Sequence, residues 1–139
     1  MTDPIYHHFL GTWELDPTTC AYEQGAPPRA DRHRIEADGG DLVITMDSTD
    51  ADGEDHHVSF RAPANGQEIP FDGGPLADTL CLTTPSPHEL HLSASCGGLE
   101  LMTATRTLDA DGLALHLVQT VHLPDFTAPA NRGTYRKVG

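Results

Sequence analysis

The chain has 139 residues, with 8 Lys plus Arg against 21 Asp plus Glu, for a formal net charge of −13. That length suits a single domain over 1–139 with its own core, and the acid excess repels phosphate backbones and anionic lipid surfaces, which excludes nucleic acid and membrane as expected partners. Three cysteines without a C-x-x-C pair, Cys20, Cys81 and Cys96, and an N-terminus lacking a basic start and an apolar run predict a cytoplasmic protein with reduced thiols.

The first predicted strand, Gly11–Asp16, lies in "FLGTWELD", where Phe9, Gly11, Trp13 and Leu15 share one parity. Trp13, the only tryptophan, should therefore point into a core. In the following "DPTTCAYEQ", Pro17 is expected to open a short helical turn that "GAPP" ends. Nine further strands are predicted: Arg32–Ala37, Asp41–Asp47, Asp55–Arg61, Gln67–Phe71, Thr79–Thr83, Glu89–Ser95, Leu99–Leu108, Leu113–Leu123 and Gly133–Val138. Turn signals such as "ADGGD", "DADGED", "DGGPL" and "CGG" separate them, and "DADG" after Leu108 predicts a tight hairpin between the two longest strands. Consecutive short strands with short links point to an all-β, antiparallel meander that closes into a barrel of about 8–10 strands with little helix.

Most strands alternate between two faces. Leu42, Ile44 and Met46 oppose Val43 and Thr45, and Leu90, Leu92 and Ala94 oppose His91, Ser93 and Ser95. In the ninth strand the set Leu113, Leu115, Leu117, Gln119, Val121, Leu123 is apolar except for Gln119. An inward amide suits a cavity that orients a ligand better than a solid interior; the alternative is that Gln119 marks a bulge or faces a loop.

The "GTW" start, the "G-x-PP" loop, "TRTLDADG" before the penultimate strand and the terminal "RGTYRKV" together resemble the calycin superfamily, the lipocalins and fatty-acid-binding proteins, and are most similar to uncharacterised bacterial lipocalin-like domains. The resemblance covers nearly the whole chain through short motifs. It implies a ligand-holding barrel whose Gly-x-Trp plugs one end. Two departures qualify it. Fatty-acid-binding proteins carry an Arg-x-Tyr on the last strand that clamps a carboxylate, and here Gly133, Thr134, Tyr135 stand in its place. The stretch 17–30 is also too short and Pro-rich for their two-helix lid. A fatty acid is therefore not implied. Haem-binding nitrobindin-like barrels open Gly-x-Trp-x-Gly-x-Gly, which "GTWELDP" does not match beyond the Trp.

In such a barrel Trp13 would close the narrow end, with Phe9, Leu15 and Tyr135, and contact ligand secondarily. Met46, Phe60, Phe71, Leu92, Leu115 and Leu117 would form the apolar wall, with His33, Gln119 and Tyr135 as polar contacts. Acid–base candidates are His33, Arg106, His116 and Tyr135, with Glu68 by parity; an outward His116 is favoured because Leu115 and Leu117 would otherwise face water. Nine histidines raise a metal question. His56 and His57 alternate across a strand, and His116 and His122 lie about 20 Å apart along one, so no metal site is expected. Cys96 reads as a small strand-end hydrophobe, and "DADGED" lacks the length of a calcium loop.

Three functions stay open: a cofactor-free barrel binding a small hydrophobic molecule, a cofactor-independent isomerase or cyclase using the same cavity, and an interaction protein whose barrel is filled by its own side chains. A homodimer through exposed strand edges is likewise open.

Overall fold

A computed structural model of the chain describes residues 4–71 and 77–139. After a 3-10 turn at His7–Phe9 come ten strands: β1 Gly11–Tyr22, β2 Ala30–Asp38, β3 Asp41–Thr49, β4 Asp55–Pro63, β5 Asn65–Pro70, β6 Thr79–Ser86, β7 Glu89–Cys96, β8 Leu99–Leu108, β9 Ala114–Val121 and β10 Ala130–Lys137. Each predicted strand has its counterpart. They form one antiparallel sheet in the order β4-β3-β2-β1-β10-β9-β8-β7-β6-β5. Every neighbour is a sequence neighbour except β1 and β10, whose pairing joins the two chain ends. The remaining edges, β4 and β5, are not paired, but β4 approaches both β5 and β6, so the sheet curls into a nearly closed barrel. The predicted "DGGPL" turn lies outside the described residues.

The helical turn expected at Pro17 is corrected to a bulge. Pro17 has no N–H to give the ladder, and Asp16 captures the chain, its Oδ1 accepting from the Thr18 amide at 3.1 Å and the Thr18 hydroxyl at 2.6 Å. The partner of Asp16 is Thr134 and that of Ala21 is Arg132, so 17–20 face only Gly133 on β10. The ladder resumes because the Thr134 amide donates to Thr19 Oγ1 at 2.8 Å. Gly133 suits this crowding, since a Cβ there would sit 3.0 Å from Leu15 Cδ1. The "DADG" hairpin forms as read: Gly112, at φ 71°, donates its N–H to the Asp109 carbonyl at 2.9 Å.

Inward positions change character along the barrel axis. At one end Phe9, Trp13, Ile35, Leu42, Ile44, Leu82, Leu90 and Leu115 are all essentially inaccessible. Farther along the same strands stand Met46 after Ile44, Leu92 and Ala94 after Leu90, and Leu117 and Gln119 after Leu115, where the interior opens. The barrel is therefore solid at one end and hollow at the other.

Candidate functional site

Two adjoining chambers occupy the hollow half. An apolar one of about 480 Å³ is lined by Met46, Val58, Phe60, Phe71, Leu80, Leu92, Ala94, Met102 and Val121, among others. A smaller one of about 200 Å³ is lined by Tyr22, Asp31, His33, Ser48, Arg106, Leu117, Gln119 and Tyr135. Both include Met46, Val58, Leu92 and Met102, so they share a wall and lie side by side in the interior. An apolar body with a few convergent polar groups is the usual make-up of a small-molecule site.

The polar chamber is built from inward positions of β2, β8 and β10. Asp31 and His33 are two residues apart on β2 and so face the same side. His33 Nε2–H donates to Asp31 Oδ2 at 2.9 Å, and the Tyr135 hydroxyl donates to the same oxygen at 2.5 Å. The His33 and Tyr135 rings lie against each other, with centroids 4.5 Å apart. Arg106, only 2 % exposed, enters from β8. Its Nη2 reaches no closer polar partner than the Met46 sulfur at 4.0 Å. Its Nε and Nη1, together with Asp31 Oδ1 and His33 Nδ1, are buried without a hydrogen-bond partner among the described residues.

Burial dominates the electrostatics here. It pulls the Arg106 value below normal, opposed by the fields of Tyr135 and Asp31, yet a guanidinium stays charged at neutral pH. Burial also holds the His33 imidazole below its ordinary value; the Asp31 hydrogen bond opposes this and the Arg106 charge adds to it. Tyr135 is pushed far above the usual phenol range, first by burial and then by the neighbouring Asp31. At neutral pH the chamber thus holds a neutral imidazole and a neutral phenol between one cation and one carboxylate.

The depressed His33 value has a stability consequence. The unfolded imidazole takes up its proton near 6.5 and the native one only at lower pH, so the unfolded state binds more protons in between. His33 therefore contributes stability that is full above pH 6.5 and is lost as pH falls through the native value. Denaturant titrations of wild type and His33→Gln across that window should show a steeper acid loss in the wild type; equal slopes would contradict it.

Of the residues singled out from sequence, His33, Met46, Phe60, Phe71, Leu92, Leu117, Gln119 and Tyr135 line the chambers, as does Arg106. Trp13 and Leu115 are both 0 % exposed in the solid end and border neither chamber. His116 lies on the outer face, bonded to Asp109 Oδ1 at 2.7 Å and to the Thr134 hydroxyl at 3.0 Å. Glu68 is exposed on β5. Asp31 was missed because the predicted β2 began at Arg32, although its parity with His33 would have placed it inside. Val58 and Met102 were also missed.

Other features are poorer candidates. A cleft of about 500 Å³ under the β9–β10 connection is lined by Leu99, Pro124, Phe126 and neighbours, with no buried charged group. Asp50, Glu54 and His56 bring ligand atoms within 4.8 Å of one another. There Asp50 is already engaged in closing its own turn, accepting from the Asp52 and Glu54 amides and from His56.

The architecture matches solved structures of known type. A Schistosoma mansoni fatty acid binding protein in complex with arachidonic acid aligns with TM-score 0.67 over 98 % of this chain and 100 % of that one, at 13 % identity. That likeness is one of fold. A zebrafish ileal bile acid-binding protein complexed with cholic acid aligns with TM-score 0.60 over 94 % of this chain and 99 % of that one, at 15 % identity. No protein-family model matches the sequence, and no curated protein sequence matches it significantly. Gly133 stands two residues before Tyr135 on the last strand, and the buried arginine beside Tyr135, Arg106, comes from β8. Among the described residues no helix is long and apolar enough to cross a membrane.

Proposed function

We propose that this chain holds a small hydrophobic molecule inside the barrel, with the apolar body in the chamber around Phe60 and Leu92 and a polar end at Arg106. The observation that carries this is Arg106 itself. A cation 2 % exposed, with two nitrogens unpartnered among the described residues in the chamber that adjoins the apolar one, is costly in a protein that binds nothing and useful in one that orients a ligand. The likeness to fatty-acid- and bile-acid-binding barrels supports the same reading. All three cysteines are free, which supports a reducing, cytoplasmic setting.

Nile red, a neutral solvatochromic dye, is a suitable first probe, and saturable blue-shifted emission is the expected result. Ala94, 6 % exposed and on the chamber wall, gives the specific control. Ala94→Trp should fill the space and weaken dye binding by about tenfold or more with the far-UV spectrum unchanged. Undiminished binding would place the dye elsewhere.

A second reading has its own observation. Asp31 fixes the His33 tautomer with Nε2 protonated, leaving Nδ1 as an unpartnered lone pair near a cation, the arrangement of a base beside an oxyanion stabiliser. Conversion of a bound ligand, lost in His33→Gln with binding retained, would support an acid–base enzyme; a ligand recovered unchanged would not.

A further inference from the structure

A carboxylate is the obvious partner for a buried arginine, but Arg106 does not stand alone. Asp31 lines the same chamber, with a side chain only 13 % exposed. Its Oδ2 is engaged twice, by His33 and Tyr135, while Oδ1 is buried and unpartnered. The chamber therefore presents two kinds of unmet demand: cationic N–H groups that need an acceptor, and acceptors that need a donor, Asp31 Oδ1 and His33 Nδ1. Arg106 and Asp31 do not meet each other's demand, since the Nε, Nη1 and Oδ1 atoms all lack partners. Their opposite charges nevertheless balance within the chamber. The remaining polar groups, His33, Tyr22, Ser48, Gln119 and Tyr135, add no net charge at neutral pH.

A carboxylate head would satisfy Arg106 but would bring a second negative charge beside Asp31 in a water-poor space and leave Oδ1 without a donor. Unlike an exposed pair, such a contact is weakly screened. A neutral head group that carries both an acceptor and a donor can answer both demands and adds no charge. Leaving a buried hydrogen-bonding group unmatched is among the stronger sources of ligand discrimination.

We propose that the chamber selects apolar molecules with a neutral donor–acceptor head, such as a primary carboxamide, over carboxylates of the same chain length: the carbonyl oxygen accepts from Arg106 and the N–H donates to Asp31 Oδ1. This rests on the reading of the barrel as a holder of hydrophobic molecules, and it specifies the class of head group.

Displacement of Nile red from the full chain by octanamide and by octanoate at neutral pH tests it. The two probes share their tail length and differ in the head. Octanamide is expected to displace the dye at a concentration about tenfold lower than octanoate. Asp31→Asn, which keeps the size and replaces the charge with a donor, should reverse that order. Octanoate binding more tightly to the wild type would overturn the neutral-head proposal and leave the hydrophobic-ligand reading standing; that comparison needs no variant. A folded Asp31→Asn with the wild-type order unchanged would also overturn it. Absence of binding by the dye and both probes would overturn the hydrophobic-ligand reading, and this proposal with it.

Discussion

Trp13→Ala is expected to lower the unfolding free energy by about 3 to 5 kcal/mol, with little effect on ligand affinity measured under conditions where the variant is folded. The indole is 0 % exposed among Phe9, Leu15 and the inward residues of β2 and β3. Its Nε1–H donates to the Phe9 carbonyl at 2.9 Å, which ties the 3-10 turn to the first strand. On the outside the Lys137 ammonium sits 5.7 Å from the ring centroid. Truncation would leave a cavity that the neighbouring strands cannot close, because each is hydrogen-bonded on both sides. Urea denaturation gives the direct test. A loss below about 1 kcal/mol would show that the barrel end closes without the indole, and a large affinity change in the folded variant would place Trp13 in the ligand's surroundings.

Arg106→Met made together with Asp31→Asn should act in the opposite sense on the two properties. Methionine approximates the length of the arginine stem and brings no donors that need partners. Removing Arg106 alone would leave the Asp31 charge without its counter-charge, whereas removing both charges is expected to raise unfolding stability by about 1 to 3 kcal/mol. The same change removes the group that receives the polar end of a ligand, so octanamide affinity should fall by about tenfold or more. Nile red, which relies on the apolar chamber, should bind nearly as before. Destabilisation of that double variant comparable to that of Trp13→Ala would instead identify Arg106 as a structural residue. Unchanged octanamide affinity would remove it from the site. The opposed signs are informative because a residue kept for function is often one the fold would be more stable without.

Several elements of this fold were legible residue by residue. The alternation in Leu42–Met46 and Leu90–Ala94 fixed which side faced inward, since a strand has only two faces and only one could be buried. The same parity separated His116 from Leu115 and Leu117, and placed His33 inside with Ile35. Pro17 was read correctly as an interruption and wrongly as a helix start. A proline states that a ladder hydrogen bond is missing, and the Asp16 side chain and the small Gly133 opposite decided that a bulge would result.

By itself the sequence determined the ten strands, their antiparallel order and the inward or outward sense of most side chains, because these depend on neighbours one or two positions away. Depth along the barrel was decided only in three dimensions. Leu115 and Leu117 share parity and chemistry, yet one is packed solid and the other borders the polar chamber; the tilt and stagger of the closed sheet set that difference. Convergence was decided there too. Asp31, Arg106 and Tyr135 come from β2, β8 and β10 and meet because the sheet curls on itself, which brings strands far apart in sequence to one interior. No local pattern records which inward positions will share a chamber, and the unmet hydrogen-bonding demand that distinguishes this barrel exists only once those strands have closed around it.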